Sequence, residues 1–244
     1  MPLLYMDGIF AIMVEKALLG GVAMKSKKII AILTAVLVCV VVLAGGIFAS
    51  RYQRTSDERL PDRYGTEIAQ LQSSEGKDGD GIDDQTDILQ GALAYVSTHP
   101  KYKSRYYQTG YPDDGYGVCT DVVAYALKNA GYDLMELVAQ DIENNPDGYD
   151  IDQPDQNIDF RRVRNLKVYF AHTAIPLTAE LTEPEQWQGG DIVIFESHIG
   201  IVSDRRNADG IPYVIHHNDP FQKTYEQDIL QSREDIVGHY RISE

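Results

Sequence analysis

The chain has 244 residues and a formal net charge of −15, from 22 Lys and Arg against 37 Asp and Glu. Its length suits one domain of ordinary size with accessory segments, since domains commonly have about 100 to 200 residues. The acidic balance argues against nucleic acid as a partner, because proteins that bind nucleic acid carry basic patches for its phosphates.

The first predicted element is a membrane-spanning helix at residues 29–50. The run from Ile29 to Ser50 has 22 uncharged, mostly apolar residues, and a helix of that length crosses a hydrocarbon core of about 30 Å. The run is longer than the apolar part of a signal peptide, which has about 7 to 15 residues, and no A-x-A cleavage site follows it. The pattern therefore favours a retained anchor over a cleaved signal.

Basic residues precede the run and predict its orientation: Lys25, Lys27 and Lys28. Because such residues stay in the cytoplasm, residues 1–28 are predicted to be a cytoplasmic segment. The chain after Ser50 then lies outside the cytoplasm, as the outer part of a single-pass protein of the cell membrane. Met24 is an alternative start, since MKSKK is an ordinary n-region, and residues 1–23 are then an over-long gene start.

A polar, acidic linker is predicted at residues 51–81, because this segment has too few aliphatic side chains to order itself and serves as a tether. KDGDGIDDQTD, from Lys77 to Asp87, overlaps its end and matches part of a calcium-binding loop. Gly81 takes the turn position of such a loop. Four carboxylates fall on ligand positions 3, 5, 9 and 12: Asp78, Asp80, Asp84 and Asp87.

Two readings of these acids stay open. Position 1 of the calcium loop is Gly76, which has no side-chain oxygen, and position 12 is Asp rather than the longer Glu. The alternative is an acidic linker whose last residues cap the next helix. The expectation is a structural calcium ion or none, and the predicted chemistry requires no cofactor.

Residues 82–244 have the pattern of a folded domain. Helical spacing of apolar residues predicts helices over 88–97, 119–130 and 134–142, with a Tyr-rich loop after the first. Residues 144–159 are a polar excursion. Short segments rich in Val, Ile, Tyr and Phe then predict strands: KVYFA, DIVIF, HIGIVS, YVIHH and IVGHYRI. Helices followed by strands indicate an α+β fold in which N-terminal helices pack on an antiparallel β-sheet.

Cys119 is the one cysteine outside the apolar N-terminal run. A chain exported with a single thiol forms no internal disulfide, and an unpaired thiol in an oxidising compartment is either paired between molecules or kept for reactivity. The pattern starts a helix at or just after Cys119. A helix N-terminus lowers the pKa of a thiol, so Cys119 is a candidate nucleophile.

His198 is the candidate base, because it opens the strand HIGIVS directly after the strand DIVIF. A third polar group is needed to orient its ring, and the next strand ends in three candidates: His216, His217 and Asn218. Strand alternation allows only one of the two adjacent histidines to face the same side as His198.

These segments carry a resemblance. GVCTDVVAYAL, WQGGDIVIFESHIGIVS and YVIHH, in this order, resemble the papain-like cell-wall peptidases of the NlpC type. The sequence is more similar to the bacterial family known as domain of unknown function 1287, through GVCTD, GDIV, HIGIVS, VIH, RRVRNL at Arg161 to Leu166 and GHYR at Gly238 to Arg241. The resemblance covers about Asp87 to Ile242.

The resemblance implies a papain-like NlpC-type fold in which Cys119 is the nucleophile, His198 the base and His216 the orienting group. The implied activity is that of a thiol hydrolase or acyltransferase acting on amide bonds of cell-wall peptide. The alternative is a non-catalytic module of the cell envelope that binds wall peptides or an envelope protein in the same cleft.

Four further residues are candidates for substrate binding. Tyr111 and Tyr116 precede the cysteine and either line a cleft or pack within their loop. Arg161 and Arg162 stand out in an acidic chain, and arginine binds the carboxylates of peptides in a bidentate manner. The alternative for both arginines is pairing with the many acidic residues of the protein itself.

Overall fold

The N-terminal apolar run forms one helix, α1 (Ser26–Arg51). The protein is described by a computed structural model that covers residues 26–65, 68–74 and 76–243, so the predictions for residues 1–25 and for a start at Met24 lie outside the described residues. From Leu33 to Arg51 the helix is long and apolar enough to cross a membrane, and it is not buried in the protein. This finding suits a membrane anchor or a signal sequence.

A second compact unit begins at Tyr52 and has a mixed α+β fold, as the sequence predicts. Helices dominate its first half and the main sheet lies in its second half. The helices are α2 (Asp84–Val96), α3 (Cys119–Asn129), α4 (Leu134–Asn144), α5 (Gln156–Asp159) and α6 (Val163–Thr173).

Two sheets accompany these helices. A small parallel pair joins β1 (Lys101–Tyr102) to β2 (Tyr116–Gly117). The main sheet is antiparallel at every described pairing and has the order β3-β8-β4-β5-β6-β7. Its strands are β3 (Ile175–Pro176), β4 (Ile192–Phe195), β5 (Ile199–Arg206), β6 (Pro212–Ile215), β7 (Glu226–Gln227) and β8 (Ile236–Arg241).

The main core lies between α3 and the centre of the sheet, where α3 packs on β5. The helices α2 and α3 also pack on each other, and Gly91 permits their close approach. A Cβ atom at Gly91 would lie 2.5 Å from Cβ of Asn129 and 2.9 Å from the carbonyl oxygen of Ala126. A larger residue would therefore push apart the helix pair that includes Cys119.

One predicted strand is wrong. KVYFA lies inside the helix α6, whose buried residues Leu166, Tyr169 and Phe170 follow helical spacing. A short run of β-branched and aromatic residues does not distinguish a strand from a buried helix segment. The residues before the run decide the outcome here, because they extend the helix by a full turn.

The segment predicted as a tether instead lies along the domain. Arg59 donates from Nη2 to Oε1 of the buried Glu226 at 2.8 Å, and the amide of Leu60 donates to its Oε2 at 2.6 Å. Further along, the amide of Leu71 donates to Oε1 of Gln188 at 3.0 Å. Such a segment is held by hydrogen bonds and charge rather than by apolar burial, which explains why composition does not reveal its order.

Asp191 joins the sheet to the helices and is more than the turn or capping residue that its GGD context suggests. It is fully buried. Oδ1 accepts from Nε2 of Gln85 at 2.7 Å and from Nε of Arg241 at 2.8 Å. Oδ2 accepts from the amide of Gln188 at 2.7 Å, and it lies 3.0 Å from Nε2 of His239. Burial raises the pKa of Asp191, but the partners His239 and Arg241 outweigh burial and keep the pKa below its ordinary value.

We predict that Asp191→Asn destabilises the domain by about 3 to 5 kcal/mol, because the substitution leaves the Arg241 guanidinium buried without a counter-ion. Urea denaturation of the full-length protein in detergent micelles measures this loss. Asp152→Asn, at an exposed position, is the control and changes stability by less than about 0.5 kcal/mol. Equal stability of the two variants would contradict the role given to Asp191.

Candidate active site

Cys119 is the first residue of α3, where the sequence predicts a helix start. The preceding residue, Val118, has an extended backbone, and its amide donates to Oδ2 of Asp121 at 2.8 Å. The amide of Ile199, the first residue of β5, acts on the thiol by lowering its pKa. The packing of α3 on β5 therefore brings Cys119 next to the residue that follows His198.

His198 and His216 form a buried, hydrogen-bonded pair. Nε2 of His198 lies 2.8 Å from Nδ1 of His216, and the two rings meet edge to face with centroids 4.8 Å apart. The pairing of Ile201 with Ile215 in β5 and β6 sets this register. Since Nε2 of His198 is engaged, its Nδ1 is the nitrogen left for a proton from a thiol.

The two other candidates for the third group point elsewhere. The ring of His217 contacts Tyr102 and Tyr225 edge to face, and neither of its buried ring nitrogens has a hydrogen-bond partner among the described residues. Asn218 is exposed and donates to Asp219 at 3.3 Å. Contact with His198 thus distinguishes His216 from its neighbours, while its role in chemistry stays a prediction.

The shifted pKa values favour the neutral forms of the half-buried Cys119 and the buried His198. Burial raises the pKa of Cys119 to about 11, with the Ile199 amide opposing the rise and the Asp121 carboxylate adding to it. Burial also lowers the pKa of His198 to about 4, and the positive charge of Arg233 lowers it further. The expectation of a lowered thiol pKa is therefore wrong, because loss of solvent outweighs the helix N-terminus.

One tautomer of the pair leaves His198 able to act as a base. Burial and His198 lower the pKa of His216 well below its ordinary value, and the Gln227 side chain acts in the opposite direction. Nε2 of His216 is buried and has no hydrogen-bond partner in the described structure. In the tautomer with the His216 proton on Nε2, Nδ1 of His216 accepts from His198, and Nδ1 of His198 is then an acceptor.

Tyr102 is a residue of the site that the sequence pattern does not single out. Its ring lies 5.2 Å from that of His217, and both burial and the nearby Cys119 raise the pKa of its hydroxyl. Gln53 holds the Tyr102 backbone through its side chain, accepting at 2.6 Å and donating at 2.8 Å. Membership of a Tyr-rich loop is the one sequence signal, and it does not separate Tyr102 from its neighbours.

Both predicted tyrosines have packing roles. Tyr111 is buried, its hydroxyl donates to Oδ1 of Asp133 at 3.0 Å, and its ring contacts Phe160. It belongs to the core, which corrects the prediction that it lines a cleft. Tyr116 is half-buried in β2, with the guanidinium of Arg105 over its ring at 4.9 Å.

The two predicted arginines differ in availability. Arg161 is buried and clamps Asp121 with two hydrogen bonds, of 2.6 Å from Nε and 2.9 Å from Nη2. Its guanidinium is engaged inside the protein, so the prediction that it binds a substrate carboxylate is wrong. Arg162 is partly exposed and donates to Oδ1 of Asp159 at 3.0 Å. Both arginines therefore pair with acidic residues of the chain itself.

Three of the four predicted calcium ligands come together. Carboxylate oxygens of Asp78, Asp80 and Asp87 all lie within 4.8 Å of one another. Asp84 departs from the prediction, because its Oδ1 accepts from the amide of Lys77 at 2.7 Å and its Oδ2 from the Tyr132 hydroxyl at 2.6 Å. The group lies outside the cysteine site.

The fold and site define a class, an α+β protein in which a helix that starts with a cysteine packs on the strand directly after one member of a buried histidine pair. The chain belongs to the family described as Domain of unknown function (DUF1287), whose sequence profile matches residues 89–242. One relative is the uncharacterized protein YijF of Escherichia coli (strain K12), 37% identical over 168 residues that cover 63% of this chain and 80% of the relative. No solved structure matches the chain significantly.

We predict that the domain loses stability as the pH falls from about 6.5 to about 4. The folded pKa of His217, about 4, lies below its ordinary value of 6.5, so its contribution is complete above pH 6.5 and is lost in acid. The loss for this one residue is on the order of 3 kcal/mol. His217→Phe keeps the ring contacts and reduces the pH dependence measured by urea denaturation at several pH values, while His198 and His216, whose pKa values are also lowered, still contribute to it.

The exposed His99 provides the control for this experiment. His99→Gln is expected to keep the acid sensitivity of the original protein. An unchanged pH dependence in His217→Phe would contradict the assignment of a buried, neutral His217.

Proposed function

We propose that the protein is a membrane-anchored thiol hydrolase or acyltransferase whose domain lies outside the cytoplasm. One observation carries the proposal: His198, hydrogen-bonded to the buried His216, directly precedes β5, the strand on which the helix that starts with Cys119 packs. A nucleophile, a base and a group that orients the base are the parts that acyl transfer by cysteine requires. The helix on the strand that follows the histidine also favours a papain-like NlpC-type arrangement.

The chemistry starts from a neutral thiol and a neutral imidazole. As Sγ of Cys119 bonds to an amide carbonyl carbon, Nδ1 of His198 takes the thiol proton and becomes cationic. His198 then returns this proton to the leaving amine as the C–N bond breaks, which leaves a thioester. Water, or an acceptor amine in a transferase, attacks the thioester with His198 again as base.

Two features stabilise the charges that form in these steps. The amide of Cys119, at the N-terminus of α3, is positioned to donate to an oxyanion, a contact worth about 2.7 to 4 kcal/mol. Nδ1 of His216 accepts from His198 and supports the imidazolium.

Cell-wall peptide is the proposed substrate class. The apolar run of α1 and the basic residues before that run favour an outward-facing domain, and peptide amides of the wall are substrates available there. Tyr102, whose pKa is raised by burial and by Cys119, is the candidate for a contact with the peptide. Arg161 and Tyr111 are buried. Arg161 therefore does not support recognition of a substrate carboxylate, and Tyr111 does not support an aromatic cleft.

A specific observation also favours the second function, an envelope module that binds wall peptide or an envelope protein without catalysis. A thiol with a pKa of about 11 and an imidazole with a pKa of about 4 leave no ion pair at neutral pH. A binding module has no need of a thiolate. The two functions differ in whether covalent chemistry follows binding.

We predict that the full-length protein in detergent micelles releases new products from purified muropeptides. Cys119→Ala abolishes product formation, and His198→Ala lowers its rate by about 10² to 10⁴-fold, because the thiol then lacks a base. Mass spectrometry of the digests measures both effects. Binding of muropeptides by all three proteins, without products from any, would favour the envelope module instead.

We predict that the two variants of His216 differ, because its role is to position His198. His216→Asn retains an oxygen that accepts from His198 and keeps most of the activity, whereas His216→Phe keeps a ring and loses at least about tenfold in kcat. The pH dependence of kcat in His216→Phe shifts, since the imidazolium of His198 loses its acceptor. Equal kcat values and pH profiles in the two variants would contradict this role.

A further inference from the structure

Three acidic residues form a group remote from the histidine pair in sequence and in role. Asp78 and Asp80 are exposed in the loop before α2, and Asp87 lies in the first turn of that helix. One carboxylate oxygen from each lies within 4.8 Å of the others. Three like charges at this spacing repel one another unless a cation lies between them.

Asp87 provides an independent sign of a missing partner. The residue is 3% exposed, and its Oδ2 is buried without a hydrogen-bond partner among the described residues. A buried ionised oxygen that lacks a partner is costly, so such groups in proteins are paired or coordinate a metal.

The nearest basic side chain in sequence does not supply the charge. Nζ of Lys77 lies over the ring of Tyr132, 5.5 Å from its centroid. Asp84 is likewise engaged, with the Lys77 amide and the Tyr132 hydroxyl. The group of three is therefore left with oxygen atoms that face one another.

The loop brings these oxygens together without a ligand at its first position. Oδ1 of Asp78 accepts from the amide of Asp80 at 3.1 Å, and Oδ1 of Asp80 accepts from the amide of Ile82 at 2.8 Å. A Cβ atom at Gly76 would lie 2.1 Å from the carbonyl oxygen of Ile82, so the backbone admits no side chain there. The arrangement thus differs from a complete calcium-binding loop of the helix–loop–helix type.

We infer that Asp78, Asp80 and Asp87 bind one Ca²⁺ ion, with water completing its shell. Calcium accepts six to eight oxygen ligands in flexible geometry, whereas Mg²⁺ demands a near-ideal octahedron, and an open loop with three carboxylates suits the former. Asp87 is the anchor, because it is the buried and rigid member of the three. Exported modules with such partial sites bind calcium with Kd values of roughly 10⁻⁴ to 10⁻³ M.

Occupancy of the site stabilises the helix pair that presents the thiol. Asn129 at the end of α3 donates to the carbonyl oxygen of Asp87 at 3.0 Å. Gly91, one turn further along α2, lies against Ala126 of α3. A cation at Asp87 therefore fixes the start of α2 on α3, at the opposite end of α3 from Cys119.

The test uses the full-length protein in detergent micelles after treatment with EDTA. CaCl₂ at about one hundred times Kd is expected to raise Tm by roughly 5 to 10 °C, and calorimetry to give one site per chain. NaCl of equal ionic strength controls for screening, and MgCl₂ is expected to have a smaller effect. Asp87→Asn abolishes the calcium-dependent shift, while Asp152→Asn retains it in full.

A shift with CaCl₂ no larger than that with NaCl, or a full shift in Asp87→Asn, would overturn the inference. If Asp87→Asn does not fold, the exposed variants Asp78→Asn and Asp80→Asn replace it, and each is expected to weaken calcium binding at least tenfold. Unchanged binding in both would also overturn the inference. These measurements do not use muropeptides, so their outcome is independent of the proposed function.

Discussion

The buried carboxylate of Asp191 is the interaction on which the arrangement of the domain depends. It receives hydrogen bonds from Gln85 of α2, from the turn before β4 and from Arg241 at the end of β8. Two sheet strands and the helical layer therefore meet at a single charge that water does not reach. Burial of such a charge is unfavourable by itself, so its partners must all be present together, which gives the domain one register. That register places His198 between β4 and β5, and β5 is the strand on which α3 packs.

Burial governs the chemistry of the site more than the helix N-terminus does. Desolvation of Cys119 and His198 favours the neutral form of each, and a few backbone amides do not reverse this. Asp121, two residues from the thiol, adds to the rise in the thiol pKa although Arg161 pairs with it. A resting site without separated charge has low reactivity. Proton transfer from the thiol to the imidazole then accompanies the attack on substrate rather than preceding it.

The parts of the structure that the sequence predicts are those that follow from local patterns of residues. Apolar spacing indicates the helix that starts at Cys119, and strand alternation narrows the partner of His198 to one of two histidines. Long-range effects are missing from such patterns. The engagement of Arg161 by an acid 40 residues away, the order of the polar segment after Tyr52 and the desolvation of the thiol all arise from packing between distant elements. Tyr102 escapes notice for the same reason, since its neighbours in space are remote in sequence.

The polar segment after Tyr52 also determines which stretch of the chain can be transferred to another protein as a folded unit. The recognisable family sequence begins at residue 89, yet the amide of Tyr225 and the carbonyl of Lys223 are both bonded to Ser56. A fusion protein or recombinant fragment that starts near residue 82 lacks both Ser56 and Arg59. It would expose the amide of Tyr225 and the carbonyl of Lys223 at the end of the sheet and leave Glu226 without Arg59. Uncovered backbone of this kind recruits strands from other molecules. The stretch of chain that can be transferred as a folded unit is thus longer than residues 89–242, the part that matches the family.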